Sequence, residues 1–309
     1  MSKSLRGVVP PVCTPLTPEM EVDVPSLERL VDYLLAGGVD GLFILGSTSE
    51  VAFLPDRQRK VVLDTVVARV GGQVPVVAGA IDTSTLRVLE HIKVAEAAGA
   101  DGVVATGPFY LRTHPVEIDR HFRLLGERSA TALFAYDVPV SVHSKLSTAL
   151  VLSLAEDGVI AGIKDSSGDD GGLRKLALAA RDSAALADFS VLTGAELTVD
   201  TAFRFGIDGV VPGLANVDPA GYVRLARSCA DGDWDAAAKE QERLIRLFDI
   251  VGCGDPARMG ASSAGLGAFK AGLYLRGIID HPVTALPQVP LNEAEINGVR
   301  EVLIDTGLL

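Results

Sequence analysis

The chain has 309 residues, 48% of them hydrophobic and 22% charged, which suits a folded domain with a sizeable core and excludes a disordered chain. Its formal net charge of −12 excludes a nucleic-acid partner gripped through its phosphates, which this chain would repel. A small anionic substrate stays open, because a site needs only local positive potential.

In chain order, short apolar runs alternate with amphipathic stretches. Strands are expected at Gly7–Val12, Gly41–Leu45, Val74–Ala78, Gly102–Ala105, Ala132–Tyr136, Val159–Lys164, Ser190–Thr193 and Gly209–Val211. Helices are expected between them at Ser26–Ala36, Asp56–Val70, Leu86–Ala98, Pro115–Arg128, Thr148–Ala155 and Leu173–Arg181. Such alternation implies parallel strands joined by crossovers, and strands that are apolar throughout imply cover on both faces. One pattern recurs: AGGVDGLFILG (36–46), AAGADGVVATG (97–107) and FGIDGVVPG (205–213) each place a glycine, an apolar residue and Asp-Gly before a strand. The recurrence points to a repeated βα unit, and eight units favour a closed barrel over an open sheet. After Asp218 only helices are expected, at Ala220–Ala230, Trp234–Val251 and Ser263–Ile278. The Pro-rich stretch HPVTALPQVPL then leads to a last helix near Asn292–Asp305. The expected architecture is α/β: a (β/α)8 TIM barrel over residues 1–230 with a C-terminal helical extension over 231–309.

Cys13, Cys229 and Cys253 lie far apart without paired spacing, so neither a zinc knuckle nor a disulfide framework is expected. His91, His114, His121, His143 and His281 are scattered, and no metal or organic cofactor is expected. The opening MSKSLRGVVPPVCTPL is too proline-broken for a signal core, and no apolar run approaches membrane-spanning length. A cytoplasmic protein without membrane contact is the expectation. GCGDPARMGASSAG (252–265) is glycine-rich but follows no strand, so it reads as a loop between helices rather than a dinucleotide site.

In a barrel of this kind chemistry sits at the C-terminal ends of the strands. GSTSE (46–50), GPFY (107–110), FAYDVP (134–139) and GIKDSSGD (162–169) fall there. Lys164 ends the apolar run Val159–Ile163; partial desolvation disfavours its ammonium form, and the neutral amine is what attacks a ketone to form an imine. A lysine reaching the barrel rim is the plainer alternative. Tyr136 also ends a strand and can exchange protons in the same mouth, or serve only as a core tyrosine. The turn Gly46–Glu50 offers hydroxyls and backbone N–H groups to a carboxylate, or a helix cap.

These four motifs, in this order, together with the opening VVPPVCTPLTPEMEVD and the late AFKAGLYLRGII, resemble the dihydrodipicolinate synthase / N-acetylneuraminate lyase family of class I aldolases. The resemblance implies a Schiff base between Lys164 and pyruvate or a related 2-keto acid, with Tyr136 transferring protons. It implies that Ser47 and Thr48 hold the pyruvate carboxylate, that Thr48 links Tyr136 to Tyr110, and that Tyr110 reaches a neighbouring subunit's site in a homotetramer. Val211 is implied to line the pyruvate pocket. Departures from the family pattern are informative. Ser49 replaces a common glycine, Asp137 a common asparagine, and Phe109 a tyrosine that helps bind feedback lysine in some synthases. Ser141 stands where the synthases carry the arginine that binds the aldehyde's carboxylate. Ser141, His143, Ser166, Ser167 and Glu196 instead offer neutral and acidic groups suited to a hydroxylated chain, although the two serines after Lys164 also suit helix capping. His143 or Lys145 would stand in for the arginine if the loop after Pro139 turned inward. The expected activity is carbon–carbon cleavage or formation on a 2-keto-3-deoxy sugar acid. Dihydrodipicolinate synthase and a keto-deoxy sugar acid dehydratase are the alternatives. The joint presence of Lys164, Tyr136, Thr48 and Tyr110 argues against a non-catalytic ligand-binding barrel.

Overall fold

The computed structural model describes residues 4–309. Eight parallel strands form one sheet: β1 (Gly7–Val8), β2 (Leu42–Ile44), β3 (Val76–Gly79), β4 (Gly102–Thr106), β5 (Ala132–Asp137), β6 (Gly162–Asp165), β7 (Ser190–Thr193) and β8 (Gly209–Val210). Ladders join β2 through β8 in order and β8 to β1. The seam between β1 and β2 closes through the Pro11–Phe43 bridge, with Phe43 N–H donating to Pro10 O and Val12 N–H to Phe43 O. The result is the closed (β/α)8 barrel.

The helices wrap outside: α1 (Val24–Ala36), α2 (Asp56–Val70), α3 (Thr85–Ala98), α4 (Pro115–Arg128), α5 (Pro139–Val142), α6 (Thr148–Glu156), α7 (Asp170–Asp182) and α8 (Val199–Phe205). Then come α9 (Pro219–Ala230), α10 (Trp234–Phe248), α11 (Ala261–Leu275) and α12 (Glu293–Asp305). The C-terminal helices share the apolar layer that lies between strands and helices, through Leu244, Leu247, Ala268, Leu273, Val299 and Leu303. Strand residues alternate between that outer layer and a separate plug inside the barrel. Leu133, Ala135 and Ile163 face out, whereas Phe43, Val77, Val104, Phe134, Tyr136, Leu192 and Val211 fill the interior.

The structure explains the recurrent Asp-Gly. Asp40 donates its N–H to Val8 O and accepts the Val8 N–H on its carboxylate. Asp101 does the same to Val76, and Asp208 to Val191. Each aspartate enters an even-numbered strand and locks the first or second residue of the preceding odd one at the barrel floor. The following glycine is required by crowding: a Cβ on Gly209 would lie 2.6 Å from Gly7 O. The fourth pair, β5 and β6, has Ala161 before Gly162. It keeps the backbone bond to Leu133 O at 2.7 Å but has no carboxylate to complete the lock.

Several boundaries differ from expectation, mostly because of proline. The first strand stops at Val8 because Pro10 and Pro11 have no N–H for a ladder. Pro75 likewise delays β3 to Val76. Val159 and Ile160 close the turn after α6 by bonding to Leu154 O, so β6 starts only at Gly162. Helix α10 ends at Phe248, followed by a short 3-10 turn at Asp249–Gly252. The glycine-rich segment is a loop as far as Gly260, but its last residues open α11. Among the described residues no helix is long and apolar enough to cross a membrane.

Candidate active site

Lys164 and Tyr136 are register partners on β6 and β5, and both point into the barrel. Lys164 is 6% exposed. Its Nζ lies 4.3 Å from the Tyr136 ring centroid and 5.0 Å from that of Phe43, above the apolar plug that includes Val211. The Tyr136 hydroxyl bonds with Lys164, Ser47 and Ser166. Burial alone raises the phenol's pKa, but the Lys164 charge and these hydrogen bonds outweigh it, and the phenol is held below its ordinary value. Gly194, after β7, leaves the room this cluster needs: a Cβ there would meet Ser166 Oγ at 2.1 Å and Lys164 Cε at 3.2 Å.

The turn after β2 is where expectation and structure part. The hydroxyl on Tyr136 is that of Ser47, not of Thr48. Leu45 adopts a left-handed backbone (φ 55°), which breaks strand alternation just before the motif, so facing cannot be counted from β2. Neither residue caps a helix, since α2 starts only at Asp56 behind Pro55. Ser49 donates to Val12 O at 2.5 Å and its carbonyl accepts from Thr14, anchoring the turn to the opposite side of the seam. Glu50 (φ 60°) is buried. It pairs with fully buried Lys270 of α11 and accepts the Ala285 N–H at 2.6 Å. The Glu50–Lys270 pair, 220 residues apart, has no local sequence signal.

The substrate-end residues are dispersed. Ser141, within α5, and His143, just after it, are exposed, with His143 in a left-handed conformation. Lys145 does not replace the missing arginine: its amine pairs with Asp137 and, at 3.2 Å, with Asp165. Both acids follow inward-facing residues and therefore point outward. Ser166 and Ser167 do not cap α7, whose cap is Asp169 accepting from Gly172. Glu196 is committed to the protein, accepting from Gly213 N–H at 2.7 Å, Leu214 N–H at 3.1 Å and Tyr222 hydroxyl at 3.0 Å. Burial pushes its carboxyl up to about 7, against the opposing pull of those bonds. Tyr110 (φ 78°) is 88% exposed, apart from the buried Tyr136. Among the described residues no group of three or more His, Cys, Asp and Glu side chains is placed to hold a metal ion.

A buried amine at a barrel strand's end, bonded to a phenol on the adjacent strand, is the equipment of an enzyme of the class I aldolase type. The sequence model of the dihydrodipicolinate synthetase family matches residues 4–305, and the chain belongs to that family. It is 33% identical over 248 residues to 4-hydroxy-tetrahydrodipicolinate synthase of Methanothermobacter thermautotrophicus, covering 80% of this chain and 87% of that protein. The dihydrodipicolinate synthase of Bacteroides thetaiotaomicron superposes with a TM-score of 0.92 at 29% identity, over 99% of this chain and 100% of that one. YagE, an E. coli prophage protein of the dihydrodipicolinic acid synthase family solved in complex with pyruvate, superposes at 0.91 and 28% identity, over 99% of each chain.

Proposed function

We propose that this enzyme is a pyruvate-dependent lyase that forms a Schiff base at Lys164 and acts on a 2-keto-3-deoxy sugar acid. The observation that carries the reading is the Lys164 amine, buried on two aromatic rings and bonded to a Tyr136 phenol of lowered pKa. The pyruvate bound by the structurally similar YagE supports the 2-keto acid half. The amine adds to the ketone carbon, water leaves, and a protonated imine results. In the cleavage direction a base takes the proton of the hydroxyl two carbons further along, and that carbon's carbonyl forms. The bond from that carbon to the one beside the imine carbon breaks; its electron pair becomes the carbon–carbon double bond of an enamine, and the imine π pair passes to the nitrogen. Tyr136 is the base within reach. Ser47, Thr48 and the turn's backbone N–H groups receive the substrate carboxylate, and Val211 lines the apolar side of the pyruvate pocket.

The sugar-acid half rests on the loop after β5. Ser141 and His143 offer a hydroxyl and an imidazole, and Lys145 is neutralised by two carboxylates. Nothing in that loop gives a second carboxylate the bidentate charged contact of an arginine. Ser166 suits a hydroxyl group, whereas Glu196 is held by the protein. The second reading, 4-hydroxy-tetrahydrodipicolinate synthase, is favoured by the name of the relative at 33% identity. Borohydride trapping with pyruvate, followed by assays on both substrate classes, separates them. The expected results are one adduct per chain at Lys164, none in Lys164→Ala, and cleavage of at least one 2-keto-3-deoxy sugar acid. Efficient condensation of pyruvate with aspartate semialdehyde, with no sugar acid cleaved, would establish the synthase instead.

A further inference from the structure

Three of the four strand pairs are locked by an aspartate at the barrel floor. The β5–β6 pair, which carries Tyr136 and Lys164, has Ala161 at that place and no such lock. It is fastened at the other end. One rung beyond Tyr136 and Lys164, Asp137 and Asp165 are register partners on the outer face of the same strands. Asp137 has a fully buried side chain and Asp165 one that is 5% exposed; Lys145 lies across both. Asp137 also accepts the Leu146 N–H at 3.1 Å, and Asp165 the Ser167 N–H at 2.7 Å. Each acid's backbone is engaged too. Asp137 O accepts from Ser166, and Asp165 O from Gly194. Of these two residues, Ser166 bonds to the Tyr136 hydroxyl and Gly194 leaves the room that the Ser166 and Lys164 side chains occupy.

Two carboxylates on adjacent strand ends repel each other unless a cation lies between them. With one in place the strand ends are drawn together. The spacing of the amine and phenol, one residue back on the inner face, is then set from outside. We propose that Lys145 is a positioning residue: by clamping Asp137 to Asp165 it fixes the distance between Lys164 and Tyr136, and with it the rate of imine formation. The proposal rests on the Schiff-base reading of Lys164.

The test is the rate of borohydride-trappable imine formation with pyruvate, measured in a single turnover. Wild-type enzyme is measured first, because a wild type that forms no adduct at Lys164 refutes the Schiff-base reading and takes the clamp with it. In Lys145→Met, Asp137 is left buried without a counter-charge. The rate is expected to fall about 10-fold or more, as loosened geometry does, while half-saturation by pyruvate stays within about twofold. In the double variant Asp137→Asn with Lys145→Met, the asparagine accepts the Leu146 N–H and donates to Asp165 without charge. The rate is expected to return to within about threefold of wild type, a non-additive rescue. A wild-type rate in Lys145→Met overturns the proposal, as does a double variant no faster than the single. If Lys145→Met does not fold, the double variant decides alone: a near-wild-type rate supports the clamp, and a rate about 10-fold down or worse overturns it.

Discussion

Tyr136 owes part of its acidity to two serines, Ser47 and Ser166, and because only Ser47 follows β2 the two hydroxyl residues of that turn are distinguishable. Tyr136→Phe is expected to lower kcat by roughly 10²–10⁴-fold with the fold intact, as for loss of a general acid–base group. Ser47→Ala removes a hydrogen bond that lowers the phenol's pKa, so ultraviolet titration of Tyr136 should move upward in pH. Thr48→Ala should leave that titration in place; a shift with Thr48→Ala and none with Ser47→Ala would reverse the assignment. Lys164 and Tyr136 were legible in the sequence because each ends an apolar strand within a recognisable motif. The choice between Ser47 and Thr48 was not legible, because it hangs on the left-handed Leu45, which no pattern of residue types announces. Nor was the fate of Glu196, whose bonds come from the turn after β8 and from Tyr222.

Helix α11 reaches the active-site turn through a single amine. Lys270 has no exposed surface, and it bonds to Glu50 and to Val283 O at 2.7 Å. Lys270→Met should leave Glu50 as an unpaired buried charge and cost about 3–5 kcal/mol, read as a lower denaturant midpoint at unchanged slope. A loss below about 1 kcal/mol would mean that water or a shifted turn satisfies Glu50 instead. Helices α1, α2, α4 and α12 stand within two residues of their expected places. Helices α5 and α8, of four and seven residues, were missed because neither is long enough to show a 3.6-residue repeat. The ends of β1 and β3 shifted where proline interrupts the ladder, a local rule that apolar runs alone do not reveal.

On the scale of the whole molecule, Tyr110 and Leu111 are 88% and 75% exposed, and Tyr110 is held in a strained backbone conformation. If Tyr110 completes a neighbour's site, active enzyme should sediment as a dimer at least, and a tetramer is expected. A fully active monomer at assay concentration would refute the shared site. The recurrent Asp-Gly has a different consequence. Three quarters of the barrel are pinned at the floor, so their play is at the mouth, where loops must admit and release substrate. The remaining quarter is tied by side chains at the mouth and at the floor by the Ala161–Leu133 backbone bond without a carboxylate. Breathing of the barrel can therefore open the rim around the reacting pair while the pair itself keeps its alignment, like a vice whose jaws are fixed and whose frame gives.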